Sequence, residues 1–333
     1  MKKAALVLTL LLAGCAGGAR ETVPEWVDGS SDKYPEVRYL TGQGQASSAA
    51  LARDRARAEL AKVFATRVSE RSEDVASAEV ITEGGDTRQR SETRVDRSVQ
   101  TETQRLLEGV RIAETWRDPD GTYHALAVLD RLTESDRLRT RIGGLDQVIE
   151  RAVARARGSD HLLARLGAAS QAVAAQQERD ALQQDLRVID PTGIGVPARY
   201  ERARLQADFA ELAARLRVAV EAEADPIGNL ASVMQGAVRH AGFINAPAGE
   251  ADYRLVSSLV IDTSVTDGWQ WVTGTLELRM LDKSGQVLGT QRWPVKASAQ
   301  QAATARHRAI SEVDRQLRAK LRETVIGFAE GLR

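Results

Sequence analysis

Residues 39–68 read YLTGQGQASSAALARDRARAELAKVFATRV, and two periods follow one another within them. Tyr39 to Ala46 has the composition of a strand that ends in glycines. Ser47 and Ser48 then supply helix N-cap chemistry. From Ala49 to Val68 the apolar positions Ala52, Ala56, Leu60, Val63, Phe64 and Val68 recur at helical spacing, while Arg53, Arg55, Arg57 and Lys62 turn outward. A strand that passes through a glycine turn into an amphipathic helix predicts an α+β fold.

The same reading extends towards the C-terminus. Residues 69–103 are polar, centre on Gly84-Gly85, and predict an exposed excursion, part helix and part loop. Gly109 to Arg131 predicts a hairpin whose turn is Asp118-Pro119-Asp120-Gly121, because proline presets one turn angle and glycine accepts a positive one. Two stripes follow, one through Leu138, Ile142, Leu145, Ile149 and Val153, the other through Leu162, Leu166, Ala169, Leu182 and Leu186. They predict an antiparallel helical hairpin broken at Gly158-Ser159-Asp160, with Ser159 or Asp160 as N-cap and a third helix near 199–212. Beyond it the order β-α-β-β-β-α is predicted, with Pro226 opening the first helix, Asp267-Gly268 and Lys283-Ser284-Gly285 as turns, and a last helix over 302–328. The expected organisation is a signal peptide at 1–14, a lipidated cysteine and tether at 15–33, and a small α/β domain at 34–132. A helical segment at 133–214 and an antiparallel-sheet domain with helices on one side at 215–331 complete it.

The N-terminus carries a different message. Lys2 and Lys3 precede an apolar run from Ala4 to Ala13, too short to cross a bilayer and fitted to a signal-peptide core. The run closes on Leu12-Ala13-Gly14-Cys15, which resembles the bacterial lipobox in every position, and Cys15 is the only cysteine in the 333 residues. Its sulfur is the atom that would carry diacylglycerol, and two or three acyl chains, palmitate among them, would anchor the protein stably. In lipoproteins of the enterobacterial type an Asp after the cysteine signals inner-membrane retention. Ala16 stands there, which implies outer-membrane sorting; the expected orientation faces the periplasm, with surface exposure left open.

Composition narrows the remaining classes. Hydrophobic residues make up 43% and charged residues 28%, which is globular rather than disordered. Losing Lys2 and Lys3 takes 46 basic residues to 44 against 46 acidic ones, a net of −2. A nucleic-acid partner is therefore not expected, since it would call for a basic excess or stripe. With Cys15 acylated no disulfide is available, and the domains must stand on their cores.

Residues 22–132 resemble the twenty-kilodalton outer-membrane lipoprotein family, the Lpp-twenty lipoproteins, which include FlgP. The resemblance is carried by Pro24-Glu25-Trp26-Val27, by Tyr39-Leu40-Thr41-Gly42-Gln43-Gly44, and by Gly109-Val110-Arg111-Ile112 through Trp116. Asp118-Pro119-Asp120-Gly121-Thr122-Tyr123 and Ala125-Leu126-Ala127-Val128-Leu129-Asp130 complete it. It implies a small α/β envelope lipoprotein without established catalysis. The C-terminal order of elements is similar to that of TolB and of LpoB-type activators, an analogy of pattern alone.

Sites of chemistry are few. Gly42-x-Gly44 could cradle a phosphate at a helix N-terminus, but Ser47 replaces the third glycine of a dinucleotide fingerprint, so a tight turn is the simpler reading. His124, His161, His240 and His307 lie far apart, and no metal or cofactor is expected. Asp118 and Asp120 lack the rest of a calcium loop and suit the hairpin turn. No Gly-x-Ser-x-Gly elbow occurs. Trp269 and Trp271 share one strand face and form either a sugar-stacking or partner-binding patch or, more simply, core against the last helix. The expectation is a non-enzymatic envelope scaffold or protein-binding component, joined to the membrane by its anchor and to envelope protein partners by its surface. The alternatives are an activator of a peptidoglycan synthase and, less simply, a cell-wall hydrolase. Homo-oligomerisation stays open.

Overall fold

A computed structural model describes residues 22–29, 31–79 and 109–330. The lipobox, residues 12–15, and most of the polar excursion lie outside the described residues. The architecture is α+β, with two sheets and six α-helices among the described residues. It divides into two compact units, Met1–Glu134 and Ser135–Arg333.

In the first unit a short 3-10 helix, Glu25–Asp28, precedes β1 (Tyr39–Ala46) and α1 (Ala49–Glu79), then β2 (Arg111–Arg117) and β3 (Tyr123–Asp130). The sheet order is β1-β3-β2, antiparallel throughout, with a bulge between Ile112 and Glu114. Alternation gives the central strand two buried faces. Ala125, Ala127 and Leu129 share a face with Leu40, Gly42, Gly44 and Ala46 and meet α1 through Ala52, Ala56, Leu60 and Phe64, all buried. Leu126 and Val128 face the other way and pack with Trp26, Tyr34 and Trp116. The folded unit therefore reaches back to Trp26, into the stretch expected to be tether.

The glycines of β1 are not a turn, contrary to expectation. Gly42 and Gly44 sit inside the strand, opposite Ala127 and Ala125. A Cβ on Gly42 would come within 2.7 Å of the Leu60 Cα, and one on Gly44 would overlap the Ala52 carbonyl and the Ala56 nitrogen. Four small residues make a flat bed on which the α1 backbone rests directly. The same contacts occupy the space that a phosphate would need.

The second unit holds most of α2 (Arg131–Gly158), then α3 (Leu162–Ile189) and α4 (Arg202–Ala213). Arg155 reaches Gln171, Asp146 reaches Arg179, Arg141 reaches Glu178 and Arg139 reaches Asp190, so one helix climbs as the other descends. This is the expected antiparallel hairpin. Its N-cap is His161, not Ser159 or Asp160, and no side chain caps the helix.

The second sheet runs β5-β4-β6-β7-β8, from β4 (Arg217–Ala224), β5 (Ile244–Asn245), β6 (Tyr253–Thr266), β7 (Trp269–Leu281) and β8 (Val287–Ala299). It is mixed rather than wholly antiparallel: β4 pairs in parallel with both β5 and β6. The connection from β4 passes through α5 (Leu230–His240), as a parallel crossover requires. Pro226 does not open that helix. Asp225 accepts backbone N–H bonds from Ile227, Gly228 and Leu230 and so stands in for the cap, which pushes Pro226 into the preceding turn. Leu216, Val218, Leu255, Leu259, Leu276 and Met280 pack beneath α5 and α6 (Ala302–Glu330), whose Val313, Leu317, Leu321 and Val325 are fully buried. Leu163, Leu166 and Ala169 of α3 join the same core, while Ile149, Ala152, Val153, Ala172 and Ala175 close a second cluster within the helical hairpin.

Candidate functional site

The face of the second sheet turned away from α5 and α6 carries the two tryptophans singled out from the sequence. Along β7, Val272, Leu276, Leu278 and Met280 are buried in the core. The alternate residues Trp269, Trp271, Thr273, Thr275, Glu277 and Arg279 occupy the opposite face. Trp269 and Trp271 therefore do not pack against the last helix, because the parity of the strand turns them away from it. Trp269 is 42% exposed. The Lys296 Nζ stands 5.0 Å from the Trp271 ring centroid, a cation–π contact from the neighbouring strand. Ser264, Thr266 and Ser298 pair with the two tryptophans across the sheet and rim them with hydroxyls, and Val260 lies exposed further along β6.

The tip is a tight turn. Asp267 (φ 49°) and Gly268 (φ 78°) both adopt left-handed conformations, the arrangement of a two-residue type I′ hairpin loop, which matches the twist of the strands it joins. Away from the tip the same face becomes ionic. Arg254 pairs with Glu221 at 3.6 Å and Arg279 with Glu223, while Glu277 accepts Arg292 at 2.6 Å and Arg279 at 3.6 Å. One half of the face is thus aromatic and hydroxylated, the other a closed ladder of opposite charges.

Two polar centres escaped the sequence reading. On the first unit the Glu114 carboxylate accepts the Trp26 indole N–H at 2.8 Å, the Lys33 ammonium at 2.5 Å and the Tyr34 hydroxyl at 3.1 Å. Lys33 chiefly holds its pKa below the usual carboxylate range, against partial burial, with Tyr34 and Trp26 assisting. In the second unit Arg179 is 1% exposed. It donates through Nε to Asp146 at 2.5 Å and through a terminal nitrogen to the carbonyls of Val196 and Pro197 at 3.3 and 2.9 Å. The signal in the sequence was the polar run Gln176, Gln177, Glu178 and Arg179 interrupting the apolar stripe of α3. These groups fasten chain segments and leave no reacting position.

The remaining expectations fall as follows. His161, His240 and His307 are exposed and far apart in the chain, and His124 is half-buried on β3 with its Nε2 4.0 Å from Asp118. Among the described residues no group of His, Cys, Asp and Glu is arranged to hold a metal ion. Asp118 and Asp120 belong to the hairpin turn: Asp118 accepts the Gly121 N–H and Asp120 accepts the Thr122 N–H. No helix among the described residues is long and apolar enough to cross a membrane.

Comparison with known proteins adds the following. Residues 24–130 match the family model described as LPP20 lipoprotein. No curated protein matches significantly. Among solved structures, the secreted protein HP1454 of Helicobacter pylori aligns at 12% identity over 87% of this chain and 97% of its own, with a TM-score of 0.42. A minor lipoprotein of Acinetobacter baumannii aligns at 13% over 32% of this chain and 92% of its own, TM-score 0.27. Lipoprotein GNA1162 of Neisseria meningitidis aligns at 15% over 32% and 99%, TM-score 0.23. The family match supports a bacterial envelope lipoprotein. It bears out the resemblance drawn from the glycine strand and the hairpin motifs: residues 24–130 of this chain match the LPP20 lipoprotein family.

Proposed function

We propose that the protein is an outer-membrane lipoprotein, acylated on Cys15, that works without catalysis as a protein-binding component of the envelope. The observation that carries this reading is the sole cysteine, placed after Leu12-Ala13-Gly14 and a short distance before a segment matching a lipoprotein family. Cys15 has no second thiol to pair with, and its position after an apolar run of signal-peptide length suits acylation. The aromatic half of the second sheet supports protein binding, because solvent-accessible tryptophans are enriched among the anchors of interfaces. In this reading Trp269 and Trp271 are the contact residues, the acyl chains hold the protein to the outer membrane, and its folded part faces the periplasm.

The reading is tested in cells. Intact mass and membrane fractionation should show acylation of the wild type and none in Cys15→Ala, which should leave the membrane fraction. A photo-crosslinking residue at Thr273, beside the tryptophans, should capture a discrete envelope protein, and Trp269→Ala with Trp271→Ala should lose the adduct. Capture unchanged by the double substitution would reject the tryptophan face. A Cys15→Ala protein still acylated and membrane-bound would reject the anchor.

A further inference from the structure

A cavity of about 250 Å3 opens between α2, α3 and α4, wholly within the second unit. Its apolar lining includes Val153, Ala172, Leu205 and Leu212, all buried. Around it stand Arg157, Arg165, Arg204 and Arg215 against two carboxylates, Asp208 and Glu211, a net of +2. Asp208 is already engaged by Arg204 at 3.1 Å. Arg165 donates its Nε to the Ala156 carbonyl at 2.8 Å, which fixes the guanidinium plane without neutralising it. Arg157 and Arg215 have no carboxylate within ion-pair distance among the described residues. This contrasts with the sheet face, where Arg254, Arg279 and Arg292 each have a carboxylate.

Like charges gathered round an apolar hollow repel one another, and the arrangement gains most from an anion that is itself apolar behind its charge. We infer that this cavity binds a small carboxylate with a short hydrocarbon body, a medium-chain fatty-acid anion being the fitting class. Three features select that class. The volume lies just under the roughly 300–1,000 Å3 of ordinary small-molecule pockets, so the ligand is small. The planar guanidinium fork suits a carboxylate, and the floor of Ala, Val and Leu side chains suits a plain alkyl chain. The walls are helices whose backbone groups are satisfied internally, so an extended peptide would find no main-chain partners there.

The test is titration of the full chain with carboxyl-labelled octanoate, followed by the carbon NMR signal, alongside octanol. Octanoate should saturate a single site, with octanol about ten-fold weaker or worse, because it lacks the charge. Octanoate binding should weaken about ten-fold in an Arg157→Gln, Arg215→Gln double variant, whose unchanged N-terminus cancels any adsorption there. Added salt should weaken octanoate and leave octanol alone. The octanol comparison needs no variant, so the inference stays testable if the double variant fails to fold. Equal affinity for the two ligands, affinity unchanged in a folded double variant, or no saturation up to about 10 mM would each overturn it.

Discussion

The Trp26 indole nitrogen donates to the Glu114 Oε2 at 2.8 Å across 88 residues of chain, joining the first described segment to the bulged edge strand of the N-terminal sheet. Trp26 is 4% exposed and the Glu114 side chain 27%, so that bond closes at the edge of the buried cluster. The carboxylate is the common acceptor for three donors from residues 26–34. Removing it strands the indole N–H, and Glu114→Ala should lower stability by about 1–3 kcal/mol in urea unfolding. Glu114→Gln keeps an acceptor and should cost less.

The same carboxylate predicts a pH dependence. Its folded pKa lies below the ordinary 4.5, so ionisation favours the folded state. The contribution is complete above that ordinary value and is lost as pH falls through the folded one. Thermal unfolding between about pH 5 and 3 should therefore be less steep in Glu114→Gln than in the wild type. Parallel curves would remove Glu114 from the acid response.

Glycines offer an internal contrast. Gly42→Ala and Gly44→Ala each drive a methyl into the backbone of α1 and should cost about 3 kcal/mol or prevent folding. Gly143 and Gly144, exposed within α2, have nothing within 4 Å of an added Cβ. There each alanine should stabilise by about 0.5–1 kcal/mol, read as a raised melting temperature.

Arg179 predicts a local effect. Its Asp146 partner is 35% exposed and keeps some water, but the Val196 and Pro197 carbonyls would lose their donor. Arg179→Met should cost about 2–4 kcal/mol and make the 191–197 loop the first site of limited proteolysis. Cleavage elsewhere first would mean that Asp190, which accepts the Thr192 N–H at 2.9 Å, and Gln183, which accepts the Val196 N–H at 3.0 Å, hold the loop without Arg179.

At the hairpin tip Asp267 has a positive φ, which a β-branched side chain resists. Asp267→Val should cost about 1–2 kcal/mol, Asp267→Asn little, and Trp269→Ala under about 1 kcal/mol since the ring is partly solvated.

Periodicity made most elements legible: alternation gave β3 and β7, and the stripe of Leu317, Leu321 and Val325 gave the last helix. What it could not supply was contact at a distance. Gly42 announces a missing side chain and not its cause, which lies in Leu60. Asp225 and Pro226 both favour a helix start, and only the hydrogen bonds show that the aspartate prevails. The parallel pairing of β4 with β5 is invisible because two-residue β5 is too short to show a period. Arg179 reads as a wet helix face until Asp146 and the 191–197 loop close over it. The cavity arginines come from three helices and the turn after the last of them, so no local spacing links them.

The charge ladder on the second sheet has a consequence for how fast anything can find the tryptophans. Each arginine there is matched by a carboxylate on the same face, so that half of the face projects little field beyond the contact itself. A visitor is not steered in from solution, and capture should proceed at orientation-limited rates of about 10⁵–10⁷ M⁻¹s⁻¹ that barely respond to ionic strength. For such a surface, the proposed anchor would do what long-range attraction does elsewhere: confinement to a membrane would raise the frequency of encounter.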